Sequence, residues 1–263
     1  MNRSSGEKIT IDTDSGQVLV RNAAGEMAFP IGTREAFAAI SRAWLRSGWD
    51  NKYVYTFTWL GRPIIQLPED MIRIQEIIYR LRPDVIVETG IAHGGSLLFY
   101  ASLCQLMGKG RVIGIEIDLR PPNRAAIESH SLFRFVSLIE GNSIDPTTIR
   151  RVRDEIAPGA NVIVLLDSCH TRQHVLAELT AYAPLVSRGS YIVAMDGIME
   201  EVAGALRTQL DWAWNNPRQA ALEFVRQNPD FRIEEPPFLF NEGNITQRVT
   251  YWPSAFIKCV RDD

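Results

Sequence analysis

Two aspartates and a histidine in the second half of the chain are the candidate catalytic residues. Asp167 and Asp196 each follow a short apolar run of the kind that forms a buried strand, and His170 comes three positions after Asp167. Carboxylate oxygens suit Mg²⁺, and a bound Mg²⁺ can orient a hydroxyl group and lower its pKa. His170 could instead act as a general base, since the unperturbed pKa of histidine is about 6.5. The sequence leaves both roles open.

Each of these residues also has a structural alternative. Asp167 and Asp196 could cap the helices that follow them, and His170 could make only a structural hydrogen bond. His170 and His174 have the spacing of the two histidines in a zinc-binding H-E-x-x-H helix, but the glutamate is missing. We therefore expect no zinc site.

A glycine-containing loop follows the first predicted strand of the same region. It reads ETGIAHGGS over residues 88–96, and glycines permit a tight turn and close approach of a ligand to the backbone. The G-x-x-x-G-G spacing differs from the G-x-G-x-x-G fingerprint of dinucleotide sites, and the preceding acid suits a cation such as the ammonium group of a methionine moiety. A tight turn without a ligand is the structural alternative, and His93 could simply fill the loop. The predicted cofactor-binding residues here are Glu88, Gly90, His93, Gly94, Gly95 and Ser96.

Polar residues also follow the next strands. Glu116 comes about 20 residues after the glycine loop, where a carboxylate can accept hydrogen bonds from both ribose hydroxyls of a nucleoside. Asn142 and Ser143 follow the third strand and could contact an adenine edge, although such polar turns often serve only as caps. Ile117 and Ser168, beside Glu116 and Asp167, complete the predicted cofactor site.

Strands and helices alternate through the region that carries these residues. Continuous apolar strands indicate a sheet covered on both faces, and alternation with helices predicts a doubly wound, Rossmann-like α/β fold. Two further β-like runs near the end could pair antiparallel at the sheet edge, giving a mostly parallel sheet of seven strands. The predicted strands are 84–88, 111–117, 133–140, 161–167, 190–196, 231–235 and 254–260, and the predicted helices lie near 95–107, 122–130, 146–156 and 173–186.

The first 80 residues have a different pattern. Residues 8–20 predict a hairpin, 34–48 and 69–81 predict helices, and 50–68 form an aromatic-rich extended segment in which Trp59 could wall a substrate pocket. We expect residues 1–80 to form an N-terminal extension that serves in oligomerisation or as a substrate lid. Residues 81–263 would form the cofactor-binding domain, and the protein would be a homo-oligomer.

Composition narrows the classes of partner. The net charge of −3 over 263 residues gives no basic field for nucleic acid. Three scattered cysteines show neither zinc spacing nor a disulfide framework, which favours a reducing, cytoplasmic setting. No apolar leader and no run long enough to cross a membrane is visible, so we expect neither a signal peptide nor a membrane partner.

Several stretches resemble one known family. VIVETGIAHGGSLLFYASL, IEGNSIDP and VIVLLDSCHT are similar to the cephalosporin hydroxylase family, which includes proteins labelled rhamnosyl O-methyltransferases, and the resemblance spans roughly residues 55–260. It implies a class I methyltransferase fold and S-adenosylmethionine-dependent O-methylation of a small natural product, such as a deoxysugar or glycosylated metabolite of antibiotic biosynthesis. By motif position, the glycine loop would hold the methionine part, Glu116 the ribose, and Asn142 and Ser143 would lie near adenine. Asp167 and Asp196 would be the metal carboxylates, with His170 beside them.

Two departures from the family pattern leave the metal requirement open. The family usually reads D-S-D-H, whereas Cys169 replaces the second acid here, and Met195 precedes Asp196 at a position that is often acidic. Fewer carboxylates mean weaker Mg²⁺ binding. Two alternative functions remain. One is a nicotinamide-dependent oxidoreductase on a similar fold, which the glycine spacing and the terminal strand pair disfavour. The other, suggested by the reduced number of acids, is a family member that binds the cofactor without catalysis.

Overall fold

The computed structural model describes residues 7–243 and 245–261 of the chain. These residues form two compact units, of which one comprises the chain up to residue 51 together with 238–249, and the other comprises 52–237 and 250 onward. The division after residue 80 that the sequence predicts stays a prediction. In the structure, residues 52–80 belong to the same compact unit as the large sheet.

The smaller unit contains an antiparallel sheet and one long helix. β1 (Lys8–Asp12) and β2 (Gln17–Asn22) form the predicted hairpin, and the turn between them is held by two backbone N–H groups that donate to Asp12. A third strand, β3 (Gly25–Pro30), pairs with β2 and was not predicted, because its largely exposed residues lack a clear apolar alternation. The helix α1 (Arg34–Asp50) is capped by Thr33. Val18 and Val20 of β2 pack with Ala36 and Ala39 of α1.

The larger unit begins with a short hairpin and a helix. A single 3₁₀ turn at Tyr53–Thr56 leads into β4 (Phe57–Trp59), which pairs antiparallel with β5 (Arg62–Ile64). The predicted extended segment therefore contains a turn and a hairpin. The helix α2 (Pro68–Leu81) follows, and proline suits its first position because that residue needs no N–H donor.

A sheet of seven strands forms the centre of this unit. The strands are β6 (Val85–Thr89), β7 (Arg111–Glu116), β8 (Val136–Glu140), β9 (Val162–Leu166), β10 (Tyr191–Ala194), β11 (Phe231–Ile233) and β12 (Phe256–Cys259). Their order is β11-β12-β10-β9-β6-β7-β8, and β12 runs antiparallel to both of its neighbours. The predicted doubly wound, mostly parallel sheet and its terminal antiparallel pair are confirmed.

Helices connect and flank these strands. They are α3 (Gly95–Met107), α4 (Pro121–Glu128), α5 (Pro146–Asp154), α6 (Arg172–Tyr182), α7 (Met199–Val202) and α8 (Pro217–Gln227). The α-helix predicted over 173–186 is shorter in the structure and ends at Tyr182. A 3₁₀ turn, Ala183–Leu185, follows it, because Pro184 lacks the N–H group that an α-helix requires. None of the described helices has the length and apolar character needed to cross a bilayer.

The sequence order of the strands reverses between β6 and β9. Every residue of both strands is buried, which explains why both appear as continuous apolar runs in the sequence. Ligands of open α/β sheets bind beyond the carboxyl ends of the strands at such a reversal. A ligand-binding site is therefore expected among the loops that follow β6, β7, β8, β9 and β10.

Candidate active site

The ends of the central strands line a crevice with two adjoining lobes. The first lobe extends across the ends of β6 to β9 and has a volume of about 580 Å³. The second extends from β6 and β9 toward β5 and the end of β10, with about 690 Å³, and both volumes include space open to solvent. Both are large enough for a small-molecule ligand. The lobes share Gly90, Ala92, Asp167 and Ser168.

Most of the predicted site residues line this crevice. Those in the first lobe are Gly90, Glu116, Ile117, Asn142, Ser143, Asp167 and Ser168. Those in the second lobe are Gly90, His93, Ser96, Asp167, Ser168, His170 and Asp196. Glu88, Gly94 and Gly95 are not among the lining residues of either lobe.

Glu116 connects the end of β7 to the glycine loop after β6. Its Oε2 accepts hydrogen bonds from the backbone N–H groups of Ile91 (3.1 Å) and Ala92 (3.0 Å). Its Oε1 accepts one from the N–H of Ile117 at 2.9 Å. Each carboxylate oxygen can accept more than one hydrogen bond, so Glu116 can hold the loop and still accept from a ligand.

Two glycines of the loop are required by packing against protein rather than by a ligand. A Cβ atom on Gly90 would lie 2.1 Å from the backbone oxygen of Asp167, and Gly90 has a φ of +80°. A Cβ on Gly95, at the start of α3, would lie 2.1 Å from the backbone oxygen of Pro63. Gly90 therefore brings the end of β6 against the residue that follows β9, and Gly95 brings the start of α3 against β5.

Glu88 is a fully buried acid near the carboxyl end of β6. Neither of its carboxylate oxygens makes a hydrogen bond of normal geometry within the described part of the chain. Burial raises the pKa of Glu88 to about 8, the hydroxyl of Ser96 opposes this shift, and the charge of Glu116 adds to it. Because Ser96 itself lines the lobe, the buried acid lies next to a residue of the crevice wall.

Asp167, His170 and Asp196 converge at the second lobe. Nε2 of His170 lies 3.9 Å from Oδ1 of Asp167 and 3.6 Å from Oδ2 of Asp196. One possible ligand atom from each residue lies within 4.8 Å of the others. Two carboxylates and an imidazole can hold a divalent cation, so the residues present fit the predicted metal. Asp196 has a left-handed backbone with a φ of +61°, so the extended conformation of β10 does not continue through this residue.

The two aspartates have raised pKa values. For Asp167 the largest cause is burial, followed by the charges of Asp196 and Glu88. For Asp196 burial also raises the pKa, and the interaction with His170 lowers it. A cationic partner would stabilise the ionised form of both acids.

Neither aspartate serves as a helix cap. Thr171 caps α6 through a hydrogen bond from the N–H of His174, and the cap residue of α7 is Ile198. Asp145 caps α5 in the same way, so the Ser143 hydroxyl is not needed there. Asn142 does hold its own turn by accepting a hydrogen bond from the N–H of Ile144 at 3.2 Å.

His174 does not join His170 in a metal site. Its Nε2 lies 3.1 Å from the hydroxyl of Ser143 and 3.3 Å from that of Ser168. Within the described residues, the group of possible ligands is Asp167, His170 and Asp196.

Sequence reasoning missed Gln66, which follows β5 and lines the second lobe. It is 3% exposed, and its Nε2 lies 3.5 Å from the hydroxyl of the buried Tyr100. Hydrogen bonding by Gln66 also opposes the rise in the pKa of Asp167. The available signal was a lone polar residue in the apolar stretch PIIQL. Trp59, by contrast, packs edge-on against Phe99 and donates to Ser102 rather than lining the crevice.

Comparison with solved structures identifies the fold class of the chain. A CmcI structure described with Mg and SAM aligns with a TM-score of 0.55 at 20% identity, covering 79% of this chain and 78% of that one. A putative caffeoyl-CoA O-methyltransferase from Staphylococcus aureus aligns with a TM-score of 0.50 at 15% identity, covering 76% of this chain and 91% of the other. The fold is that of the class I methyltransferases.

The family follows from the sequence comparison. The model of the family "Rhamnosyl O-methyltransferase/CmcI" matches residues 51–260, and the chain belongs to this family. A rhamnosyl O-methyltransferase of Mycobacterium leprae is 34% identical over 145 residues, which are 54% of this chain and 60% of the relative. One of Mycobacterium tuberculosis is 33% identical over 144 residues, 53% of this chain and 56% of the relative. The chain thus spans little more than half the length of these curated relatives.

Proposed function

We propose that this protein transfers a methyl group from S-adenosylmethionine to a hydroxyl oxygen of a small natural product. The observation that carries the proposal is the convergence of Asp167, His170 and Asp196 at a crevice that Glu116 also lines, with the buried acid Glu88 next to its wall residue Ser96. Membership of the family supports the same reaction class.

The two lobes would bind opposite ends of the cofactor. In the first lobe, Glu116 would accept hydrogen bonds from the ribose hydroxyls, while Ile117, Asn142 and Ser143 would surround the base. In the second lobe, Ser96 would receive the methionine part, with Gly90 and His93 in the connecting loop and Glu88 buried next to Ser96. The buried carboxylate of Glu88 is a suitable counter-charge for an ammonium group, since an opposite charge stabilises the ionised acid.

His170 would remove the proton of the acceptor hydroxyl. Its Nε2 is 3.6 Å from a carboxylate oxygen of Asp196, which would stabilise the imidazolium that forms. The sulfonium group of the cofactor supplies a methyl group that is already activated, so the main task of the protein is to align the attacking oxygen and exclude water. General-base assistance of this kind typically contributes on the order of 10²–10⁴-fold in rate.

A divalent cation such as Mg²⁺ would be held by Asp167 and Asp196. When bound, it would supply Lewis-acid polarisation that lowers the pKa of a hydroxyl group. Burial raises the pKa of both acids, and the charge of Asp196 adds to the shift of Asp167, so a cation would relieve an unfavourable concentration of negative charge. Cys169 does not add a third carboxylate here, so we expect the affinity for Mg²⁺ to be modest.

A deoxysugar or glycosylated metabolite is the acceptor class that we propose. The support is the family and the curated relatives that are rhamnosyl O-methyltransferases. The direct test is incubation of the full chain with labelled S-adenosylmethionine, Mg²⁺ and a panel of rhamnosides and other deoxysugar glycosides. Label transfer to a sugar hydroxyl would support the proposal, and methylation of a non-glycosylated acceptor alone would contradict the sugar assignment.

Titration calorimetry separates the remaining alternatives. Binding of S-adenosylmethionine without binding of NAD⁺ or NADH is the expected result, and the reverse would favour an oxidoreductase. Binding without label transfer to any acceptor would favour a non-catalytic family member. Self-association and a cytoplasmic setting remain predictions from the sequence, and the oligomeric state can be measured by sedimentation.

A further inference from the structure

Asp70 is a buried acid of the larger unit that the proposed mechanism does not use. It lies in the first turn of α2 and is 2% exposed. Its carboxylate accepts hydrogen bonds from the hydroxyl of Thr250, 180 residues further along the chain, and from the backbone N–H of Tyr251 at 2.8 Å. The hydroxyl oxygen of Thr250 in turn accepts a hydrogen bond from the N–H of Trp252 at 2.8 Å. One side chain therefore fixes three consecutive residues of a distant segment.

The same segment supports the loop between β10 and α7, which begins with Met195 and Asp196. The backbone carbonyl of Tyr251 accepts a hydrogen bond from the N–H of Ile198 at 3.0 Å. A Cβ atom on Gly197 would lie 2.6 Å from the backbone oxygen of Pro253, so the two backbones pack directly against each other. The two residues that follow Asp196 are thus both held by the segment that Asp70 fixes.

The backbone of Asp196 requires such support. Its φ of +61° is unfavourable for a residue other than glycine, and a strained conformation of this kind persists only where the surrounding structure imposes it. Asp196 lines the second lobe, and its Oδ2 lies 3.6 Å from Nε2 of His170. If the loop relaxed toward a less strained conformation, the carboxylate would move away from this position. The support of the loop therefore bears directly on the catalytic geometry.

We infer that Asp70 is a positioning residue for methyl transfer: it fixes residues 250–253, and these hold the backbone of Asp196 beside His170. This inference rests on the proposed function. It applies to either role of Asp196, as a metal ligand or as the acid that stabilises the imidazolium. Asp70 is not among the described residues that line the two lobes, so it acts only through Asp196. Its removal should displace Asp196 and leave the first lobe, where the nucleoside would bind, unchanged.

The first test compares turnover with cofactor affinity in Asp70→Ala. At saturating S-adenosylmethionine, kcat should fall by roughly 10- to 100-fold, because a misplacement of about 1 Å at the reacting groups can cost a factor of that order. The dissociation constant of S-adenosylhomocysteine, measured by calorimetry, should stay at the wild-type value. Asp70→Asn should retain most of the wild-type kcat, since its amide keeps an oxygen for the N–H of Tyr251 and can donate to the oxygen of Thr250.

The second test determines whether Asp70 acts through Asp196. In an Asp196→Asn background the carboxylate to be positioned is absent, so Asp70→Ala should lower kcat much less than it does in the wild-type background. The double-mutant cycle measures this coupling directly. A merely structural role of Asp70 would instead give the same fold-change in both backgrounds.

Two further variants control for stability. Asp84 precedes β6 at the amino ends of the strands, and it also accepts a hydrogen bond from a distant backbone N–H, that of Asn161 at 2.8 Å. Asp84→Ala should lower the thermal unfolding temperature and leave kcat at the wild-type value. Thr250→Val removes the hydroxyl that donates to Asp70 with little change in shape, and it should lower kcat. If Asp70→Ala does not fold, Thr250→Val replaces it in both the wild-type and the Asp196→Asn backgrounds.

The outcomes separate this inference from the proposed function. If the wild-type protein transfers no methyl group, the proposed function fails. If it is active but Asp70→Ala keeps the wild-type kcat, or lowers kcat by the same factor in both backgrounds, the positioning role is overturned and the proposed function stands. The same conclusion follows if Asp70→Ala weakens S-adenosylhomocysteine as much as it lowers kcat. Full activity in Asp196→Asn would also overturn the inference, because Asp196 would then have no role that requires positioning.

Discussion

Nε2 of His170 lies 3.6 Å from Oδ2 of Asp196, although the two residues follow different strands, β9 and β10. These strands pair in parallel, so their carboxyl ends meet at the same edge of the sheet. The pair therefore depends on the sheet rather than on a local turn. If His170 accepts the proton of the acceptor, Asp196 is the nearer of the two acids that can stabilise the resulting charge.

Removal of His170 should reduce turnover much more than cofactor binding. We expect His170→Ala to lower kcat by on the order of 10²–10⁴-fold, with a dissociation constant for S-adenosylmethionine close to that of the wild type. Asp167→Asn and Asp196→Asn should also lower kcat, and Asp118→Asn, an exposed acid in the loop after β7, is the control. Full activity in both His170→Ala and Asp167→Asn would contradict the assignment.

Chelation should remove activity if the two aspartates hold a cation. We expect EDTA to abolish methyl transfer and added Mg²⁺ to restore it, with half-saturation at a high Mg²⁺ concentration because the site has few carboxylates. Cys169→Asp restores the acid that the family pattern carries and should lower the Mg²⁺ concentration needed. Activity that survives exhaustive chelation would leave proton removal to His170 without a metal.

The affinity for S-adenosylmethionine should rise with pH because of Glu88. Burial raises the pKa of Glu88 to about 8, so in the free protein the acid is protonated at neutral pH and gains a charge as the pH approaches 8. A bound ammonium group favours the charged form. Calorimetry between pH 6 and about 8 should therefore show tightening in the wild type. A weaker and flatter profile is expected for Glu88→Gln, and identical profiles would remove Glu88 from the cofactor site.

Stability should fall with rising pH because of a second buried acid, Asp70. Its carboxylate accepts hydrogen bonds from Thr250 and from the N–H of Tyr251, yet burial raises its pKa from 3.8 to about 8. The folded state therefore binds more protons than the unfolded state between these values. The stabilising contribution of Asp70 is complete below about pH 4 and is lost as the pH rises toward 8.

Urea unfolding at a series of pH values tests this prediction. A single group gives a slope of at most about 1.4 kcal/mol per pH unit, and Asp70→Asn should remove that part of the slope while Asp118→Asn keeps it. Glu88 contributes with the same sign, so some slope will remain in Asp70→Asn. An unchanged slope in that variant would show that Asp70 does not titrate in this window.

Gly90→Ala should be far more disruptive than Gly108→Ala. Both glycines have positive φ values, +80° and +66°, but an added Cβ at Gly108 meets nothing within 4 Å, whereas one at Gly90 meets the backbone of Asp167. Gly108→Ala should cost about 1 kcal/mol for its backbone conformation alone. Gly90→Ala adds the displacement of β9 and should also lower cofactor affinity. Equal unfolding free energies for the two variants would contradict the packing argument.

The architecture was predictable where the signal is local. The apolar runs VIVET and VIVLL identify β6 and β9, and the acids and glycines that follow them fall at one sheet edge because parallel strands share an orientation. The crevice and most of its lining residues follow from that rule. The exposed β3 carried no comparable periodicity and was missed.

Contacts between distant parts of the chain were not predictable. Gln66 reaches the site because β5 packs against the first turn of α3, a contact permitted by Gly95 and invisible in any local window. His174 was considered only for its spacing from His170, whereas its partners Ser143 and Ser168 follow β8 and β9, two strands that β6 and β7 separate in the sheet. The uncompensated burial of Glu88 likewise depends on everything that packs around β6.

The left-handed backbone of Asp196 limits which residues can replace it. Only glycine adopts that conformation without penalty, and asparagine and aspartate tolerate it better than other side chains. Most other substitutions at this position would therefore strain the backbone of the turn that leads into α7, in addition to removing the carboxylate. Relatives that lack the acid should carry chiefly asparagine or glycine at this position. The residue found there therefore reflects the backbone conformation as well as the catalytic requirement.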